Sequence, residues 1–111
     1  MTHDDLIDPS VFEELQDAMG DDFAAELLET FLDDAVNMFA ELTQAVQAGD
    51  ADSYRRASHS LKSNAQTFGA TDLAEKAREM ELSSGIDADA ADALSALFQQ
   101  TKTRLEGLLD E

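Results

Sequence analysis

The sequence predicts an all-α fold: an up-down-up-down four-helix bundle with a short extra helix at its N-terminal end. Three observations predict it. Apolar residues recur at i, i+3, i+4 and i+7 along most of the chain, the spacing of helices that bury one face. Proline occurs once, near the start. Short breaks holding Gly20, Gly49, Gly69 and Gly85 divide the periodic stretches, and loops that short join antiparallel neighbours.

Each element follows from its own residues. Pro9-Ser10 opens a short helix that ends at Gly20. Asp21 and Asp22, suited to the positive end of a helix dipole, start a long helix that runs to Ala48 and stops at Gly49. Its core stripe is Ala24, Leu27, Leu28, Phe31, Ala35, Met38, Leu42, Ala45 and Val46. Beside that stripe lie Leu32, Val36 and Phe39, a strip either covered by the short helix through Val11, Phe12 and Leu15, which is the expectation, or left open for a partner. The third helix begins near Asp50 to Asp52 and ends at about Phe68 before Gly69, with Tyr54, Ala57, Leu61, Ala65 and Phe68 inward. Thr71 or Asp72 is expected to cap the fourth, where Asp72-x-x-Glu75 has the form of a capping box. Leu73, Ala77 and Met80 point inward there, and Gly85 ends it. The last helix runs from about Asp89 to Leu109 with Ala90, Leu94, Leu97, Phe98, Thr101, Leu105 and Leu108 on its apolar side. Residues 1–111 read as one domain, with 1–8 a flexible tail.

Composition narrows the function. At 111 residues the chain has room for one modest core. Cysteine is absent, so neither a disulfide framework nor a thiolate metal site is available. The acidic start, Met1-Thr2-His3-Asp4-Asp5, lacks the features of a signal peptide, and no apolar run is long enough to span a bilayer. A cytoplasmic location is the expectation. A formal charge of −18 argues strongly against nucleic acid and anionic membrane surfaces as direct partners, because both bind through Lys and Arg on phosphate. The same acidic surface, with no spare apolar stripe, predicts a monomer. Five of the seven basic residues, Arg55, Arg56, Lys62, Lys76 and Arg78, bracket His59.

On the third helix His59 falls roughly opposite the apolar stripe, and Lys62 and Ser63, at i+3 and i+4, share its face. Arg55 and Gln66 fall on that face as well. A solvent-facing imidazole is a good phosphoryl acceptor, since its neutral form offers an unprotonated ring nitrogen near neutral pH. Lys62 can supply the cation that in-line transfer needs on the equatorial oxygens. Ser63 is small enough to leave clearance for a partner, Gln66 could add an amide donor, and Glu81, one helix over, could orient the second ring nitrogen. Metal binding is disfavoured: His3 sits in the expected tail, and no second ligand stands at i, i+4 from His59.

The run His59-Ser60-Leu61-Lys62-Ser63, six residues before Gly69-Ala70, resembles the signature of histidine-containing phosphotransfer (HPt) domains, His-x-Leu-Lys-Gly/Ser followed by Gly-Ala or Gly-Leu. The resemblance covers roughly residues 20 to 110, through Phe31, Leu42 and the Gly49-Asp50 break upstream and Leu73, Ala77, Met80 and Glu81 downstream. Ser63 stands where the family more often has Gly. The resemblance implies a phosphorelay intermediate that is not an enzyme, with no ATP site and no autokinase activity. His59 would take a phosphoryl group from the aspartate of one response-regulator receiver domain, or of a hybrid histidine kinase, and pass it to another receiver. No cofactor or metal is implied on this chain, and any Mg²⁺ would sit in the receiver's acidic cluster. In agreement, there is no glycine-rich phosphate loop or Walker-like GK[ST]. The alternative is an HPt-like module that binds and blocks a receiver or kinase without transfer, although an intact His59 and Lys62 have no purpose there. A histidine kinase fragment would need an α/β ATP-binding domain that this chain is too short to hold.

Overall fold

The computed structural model describes residues 6–109. Five helices follow in order: α1 (Pro9–Met19), α2 (Asp21–Ala48), α3 (Ala51–Thr67), α4 (Thr71–Leu82) and α5 (Ala88–Leu109). Among the described residues every regular element is α-helical. Helices α2 to α5 form the bundle, α3 packing most extensively on α4, α2 on α3, and both α2 and α4 on α5; α1 lies against α2.

Local chemistry sets most of the boundaries where the sequence places them. The Asp8 carboxylate accepts from the Ser10 amide at 3.1 Å, and Pro9, which has no amide to satisfy, opens α1. Gly49 ends α2 in the left-handed conformation. Asp50 caps α3, accepting from the amide of Ser53 at 3.1 Å and its hydroxyl at 2.7 Å. Those Ser53 hydrogen bonds, the hydroxyl's first, hold the Asp50 carboxyl below its ordinary value.

Two boundaries of α4 differ from expectation. Ala70 holds the cap position, and Thr71 and Asp72 are the first helical residues, so no capping box forms. The cause is the tightness of the turn: the amide of buried Ala70 still bonds the Ala65 carbonyl of α3 at 2.8 Å, while its own carbonyl already receives the Ala74 amide at 2.9 Å. At the other end α4 stops at Leu82, with the Ser83 hydroxyl on the Met80 carbonyl at 2.9 Å, and Gly85 falls in the connection to α5. Asp87 then serves α5, its carboxylate accepting the Ala90 amide at 3.0 Å.

The core is built around Phe31. Its ring stacks on Phe68 at 5.3 Å and meets Phe98 edge-on at 6.3 Å, so one side chain of α2 joins the end of α3 to α5. Tyr54, Leu61 and Ala65 of α3 are buried as the periodicity predicts. Buried with them is Ser58, whose hydroxyl is satisfied by the Tyr54 carbonyl one turn back at 2.8 Å. The Tyr54 hydroxyl donates to the Asp87 carbonyl at 3.2 Å, and burial raises the phenol above its ordinary pKa. The strip on α2 divides. Leu32 is buried, Phe39 packs on Phe98 of α5 at 5.0 Å, and Val36 stays 64% exposed.

The expected tail needs a correction for residues 6–8. Ile7 is buried and Leu6 packs against the core, and the Asp8 amide donates to the Gly69 carbonyl at 2.7 Å. Apolar side chains at 6 and 7 anchor this segment; residues 1–5 of the expected tail lie outside the described residues. At the anchor Gly69 has φ +73°, and a Cβ there would sit 2.6 Å from the Asp8 carbonyl oxygen and 2.9 Å from Val11 Cβ. Gly69→Ala is therefore expected to cost about 2 kcal/mol or more in chemical denaturation, through backbone strain and loss of the α1 dock. Gly107→Ala is the control: the site lies within α5 with open space around it, so the same exchange should stabilise by about 0.5–1 kcal/mol. Equal effects at the two positions would contradict this account.

Candidate functional site

The site lies on the seam between α3 and α4. Ala65 on α3 and Ala74 and Ala77 on α4 are buried, and side chains this small let two helix backbones approach closely. Glu81 stands one turn beyond Ala77, so it emerges at the edge of the seam, beneath the exposed face of α3. There its carboxylate accepts two hydrogen bonds. His59 Nδ1 lies 2.7 Å from Glu81 Oε2, and Lys62 Nζ donates to Glu81 Oε1 at 2.6 Å.

This arrangement fixes the state of the imidazole. An ionised carboxylate only accepts, so the proton of the neutral ring belongs on Nδ1, and Nε2 carries the lone pair. The His59 side chain is 58% exposed, and Nε2 has no hydrogen-bond partner among the described residues. The outcome is an oriented ring with its basic nitrogen toward solvent.

Lys62 is placed differently from the sequence expectation. Its face is correct, but the side chain is only 20% exposed and is paired with Glu81, itself 18% exposed. The interhelical register causes this, since it brings Glu81 between positions 59 and 62. Arg55 is exposed, and its guanidinium is engaged by Asp52 at 2.7 Å. Ser63 is exposed beside Lys62. Gln66 lies farther along α3, where it lines a groove of about 320 Å³ with Val11, Gly69, Ala74 and Arg78. The structure thus brings His59, Lys62 and Glu81 together and leaves Arg55 and Gln66 outside that contact. Arg78 stands out from the sequence cluster of basic residues by its place in the groove, one turn before Glu81; spacing from Glu81 was its available signal.

Glu81 is held below the ordinary carboxylate value of 4.5, above all by the Lys62 hydrogen bond; desolvation opposes this, and the His59 hydrogen bond and the two nearby charges add further lowering. A carboxylate whose native pKa is lowered stabilises the fold fully above the unfolded value, and loses that contribution as pH falls through the native value. The stability difference between wild type and Glu81→Gln should therefore narrow below about pH 4.5. Urea midpoints measured between pH 7 and pH 3 check this, and a gap that widens on acidification would refute it. Lys62→Ala is expected to cost on the order of 1 kcal/mol, more than a free surface lysine would, because it removes the stronger partner of a part-buried carboxylate.

Comparison with known proteins shows the family of the chain. The chain matches the family model described as Hpt domain over residues 26–111. It is also similar to the crystal structure of histidine-containing phosphotransfer protein B (HptB) from Pseudomonas aeruginosa PAO1, with a TM-score of 0.68, 29% sequence identity, and coverage of 94% of this chain and 88% of that one. No curated protein matches the sequence. A family match over most of the chain, with a fold similar to that of a phosphotransfer protein, makes this chain a member of the Hpt domain family.

Proposed function

We propose that the chain is a phosphorelay intermediate in which His59 is the phosphoryl acceptor. The observation that carries this reading is the exposed ring whose Nδ1 is engaged by Glu81, which leaves Nε2 free to reach a phosphorus atom. The Nε2 lone pair attacks the phosphorus of a receiver's aspartyl phosphate, in line with the departing aspartate oxygen. Lys62 swings from Glu81 toward the equatorial oxygens and balances their charge; the distance is short, since both groups already share one carboxylate. Ser63 leaves room beside the ring, and Arg55 and Gln66 flank the surface on which the receiver docks.

The donor is a hybrid histidine kinase or its receiver, and the acceptor is a second receiver. The chain itself supplies no ATP site and holds no cofactor; the Mg²⁺ of the reaction belongs to the receiver's acidic cluster. Among the described residues no helix is long and apolar enough to cross a membrane. The acidic composition favours a cytoplasmic monomer.

The test is phosphate transfer. Incubated with a phosphorylated receiver and Mg²⁺, wild type should gain acid-labile, alkali-stable phosphate. His59→Gln should gain none while its helical circular dichroism is unchanged. Lys62→Ala should transfer at least about tenfold more slowly, as expected when a charge-stabilising group is removed. Binding of the receiver without labelling would mean a blocking module, and label on the His59→Gln variant would mean a different acceptor.

A further inference from the structure

With His59 taken as the acceptor, we infer that Glu81 keeps one proton on Nδ1 of the ring through both phosphate gain and phosphate loss, so that phosphorylated His59 always leaves as a neutral imidazole. The inference rests on that acceptor reading and adds a role for this carboxylate that orientation alone does not require.

The electron balance shows what is at stake. On phosphate gain the Nε2 lone pair forms the N–P bond, and the P–O bond breaks with its pair going to the aspartate. The ring then holds Nδ1–H and Nε2–P and carries a positive charge. On phosphate loss a second aspartate attacks phosphorus, and the N–P pair returns to Nε2. If Nδ1 has kept its proton, the group that departs is neutral imidazole. If Nδ1 has lost it, the departing group is imidazolate, a far stronger base and a far poorer leaving group. Transfer in both directions thus needs no proton exchanged with solvent, provided something holds the proton in the cationic intermediate.

Glu81 is built to do so. Its Oε2 sits 2.7 Å from Nδ1, in direct hydrogen-bond contact with no room for water between them, and the carboxylate is 18% exposed. The other charged groups around the ring do not compete for that proton. Lys62 on α3 is held at Oε1 of the same carboxylate and, as an ammonium, donates only and cannot take that proton. Arg55, one turn before His59, is tied to Asp52. On α4 Arg78 lies in the groove with Gln66, and α2, packed on another side of α3, presents Glu41 in a separate groove with Ser60 and Arg56. When Lys62 moves to the phosphoryl group, Glu81 is left with Nδ1–H as its remaining partner. The negative charge is then least compensated at the moment the ring is most acidic.

The test separates charge from orientation. Glu81→Gln keeps a carbonyl that can accept from Nδ1–H and removes the charge; Glu81→Ala removes both. Wild type and both variants, labelled with ¹⁵N-histidine, are phosphorylated with phosphoramidate, and the ring proton is titrated by ¹⁵N and ³¹P magnetic resonance. The midpoint in wild type should lie about one pH unit, a tenfold proton affinity, above that of Glu81→Gln. Transfer to a receiver should decline on the alkaline side about one unit earlier in Glu81→Gln, and the two rates should converge near pH 6. Coincident midpoints on a labelled His59 would overturn this inference and leave the acceptor reading intact. Failure of His59 to accept label would overturn both. Wild type alone provides another check: a phosphorylated ring that lacks the Nδ1 proton at neutral pH would also overturn it.

Discussion

The close approach of α3 and α4 governs what the rest of the molecule can do. Alanines at 65, 74 and 77 make that approach possible, and the turn through Phe68, Gly69 and Ala70 fixes the register. With that register set, a glutamate on one helix falls between a histidine and a lysine on the other. Larger side chains in the seam would separate the backbones and carry the carboxylate out of hydrogen-bonding range, with no change to any of the three polar residues. The chemistry of the site thus depends on residues that carry none of their own.

The rest of the bundle keeps α3 from moving. Phe31 binds both Phe68 and Phe98, and Tyr54 is tied to the loop before α5. A helix held at both ends and along its inner face presents His59 at a fixed height and angle. In the proposed transfer the partner is a separate protein, and misalignment of the attacking atom would not be repaired by a closed pocket. The acidic surface adds a second constraint. With a net charge of −18, the chain repels most anionic neighbours, so approach of a phosphorylated partner is favoured where basic residues collect around α3 and α4.

Much of this was legible in the sequence. Helix periodicity located the five elements and the buried faces of α2, α3 and α5, because 3.6-residue spacing is a property of a single helix. It put His59 on the solvent side for the same reason. The resemblance of His59-Ser60-Leu61-Lys62-Ser63 to the HPt signature indicated the family. The sequence reading also named Glu81, one helix over, as a partner for the second ring nitrogen of His59, but spacing on single helices could not give the rest of what depends on two helices at once. Lys62 reads as a free lysine on its own wheel, and only the α3–α4 register makes it the partner of Glu81. Phe39 reads as lying beneath α1, and only the bundle geometry brings it to Phe98. The cap of α4 was misplaced because Ala70 carries no capping side chain, and the tight turn, which the sequence shows only as Gly69-Ala70, does that work through the backbone.

The hydrogen bond between Asp8 and Gly69 has a consequence for how the chain comes together. Its two peptide groups are far apart in sequence, and the surface that receives Ile7 and Val11 includes the α3–α4 turn. The dock of α1 uses that turn as well as α2, so it is completed only once the turn has formed, and the short helix is expected to settle late and to open early. Hydrogen exchange would therefore pass through α1 ahead of the bundle. Because the dock closes over the end of the helix that bears His59, an opened α1 leaves the bundle standing while loosening the turn that aligns its two most important helices.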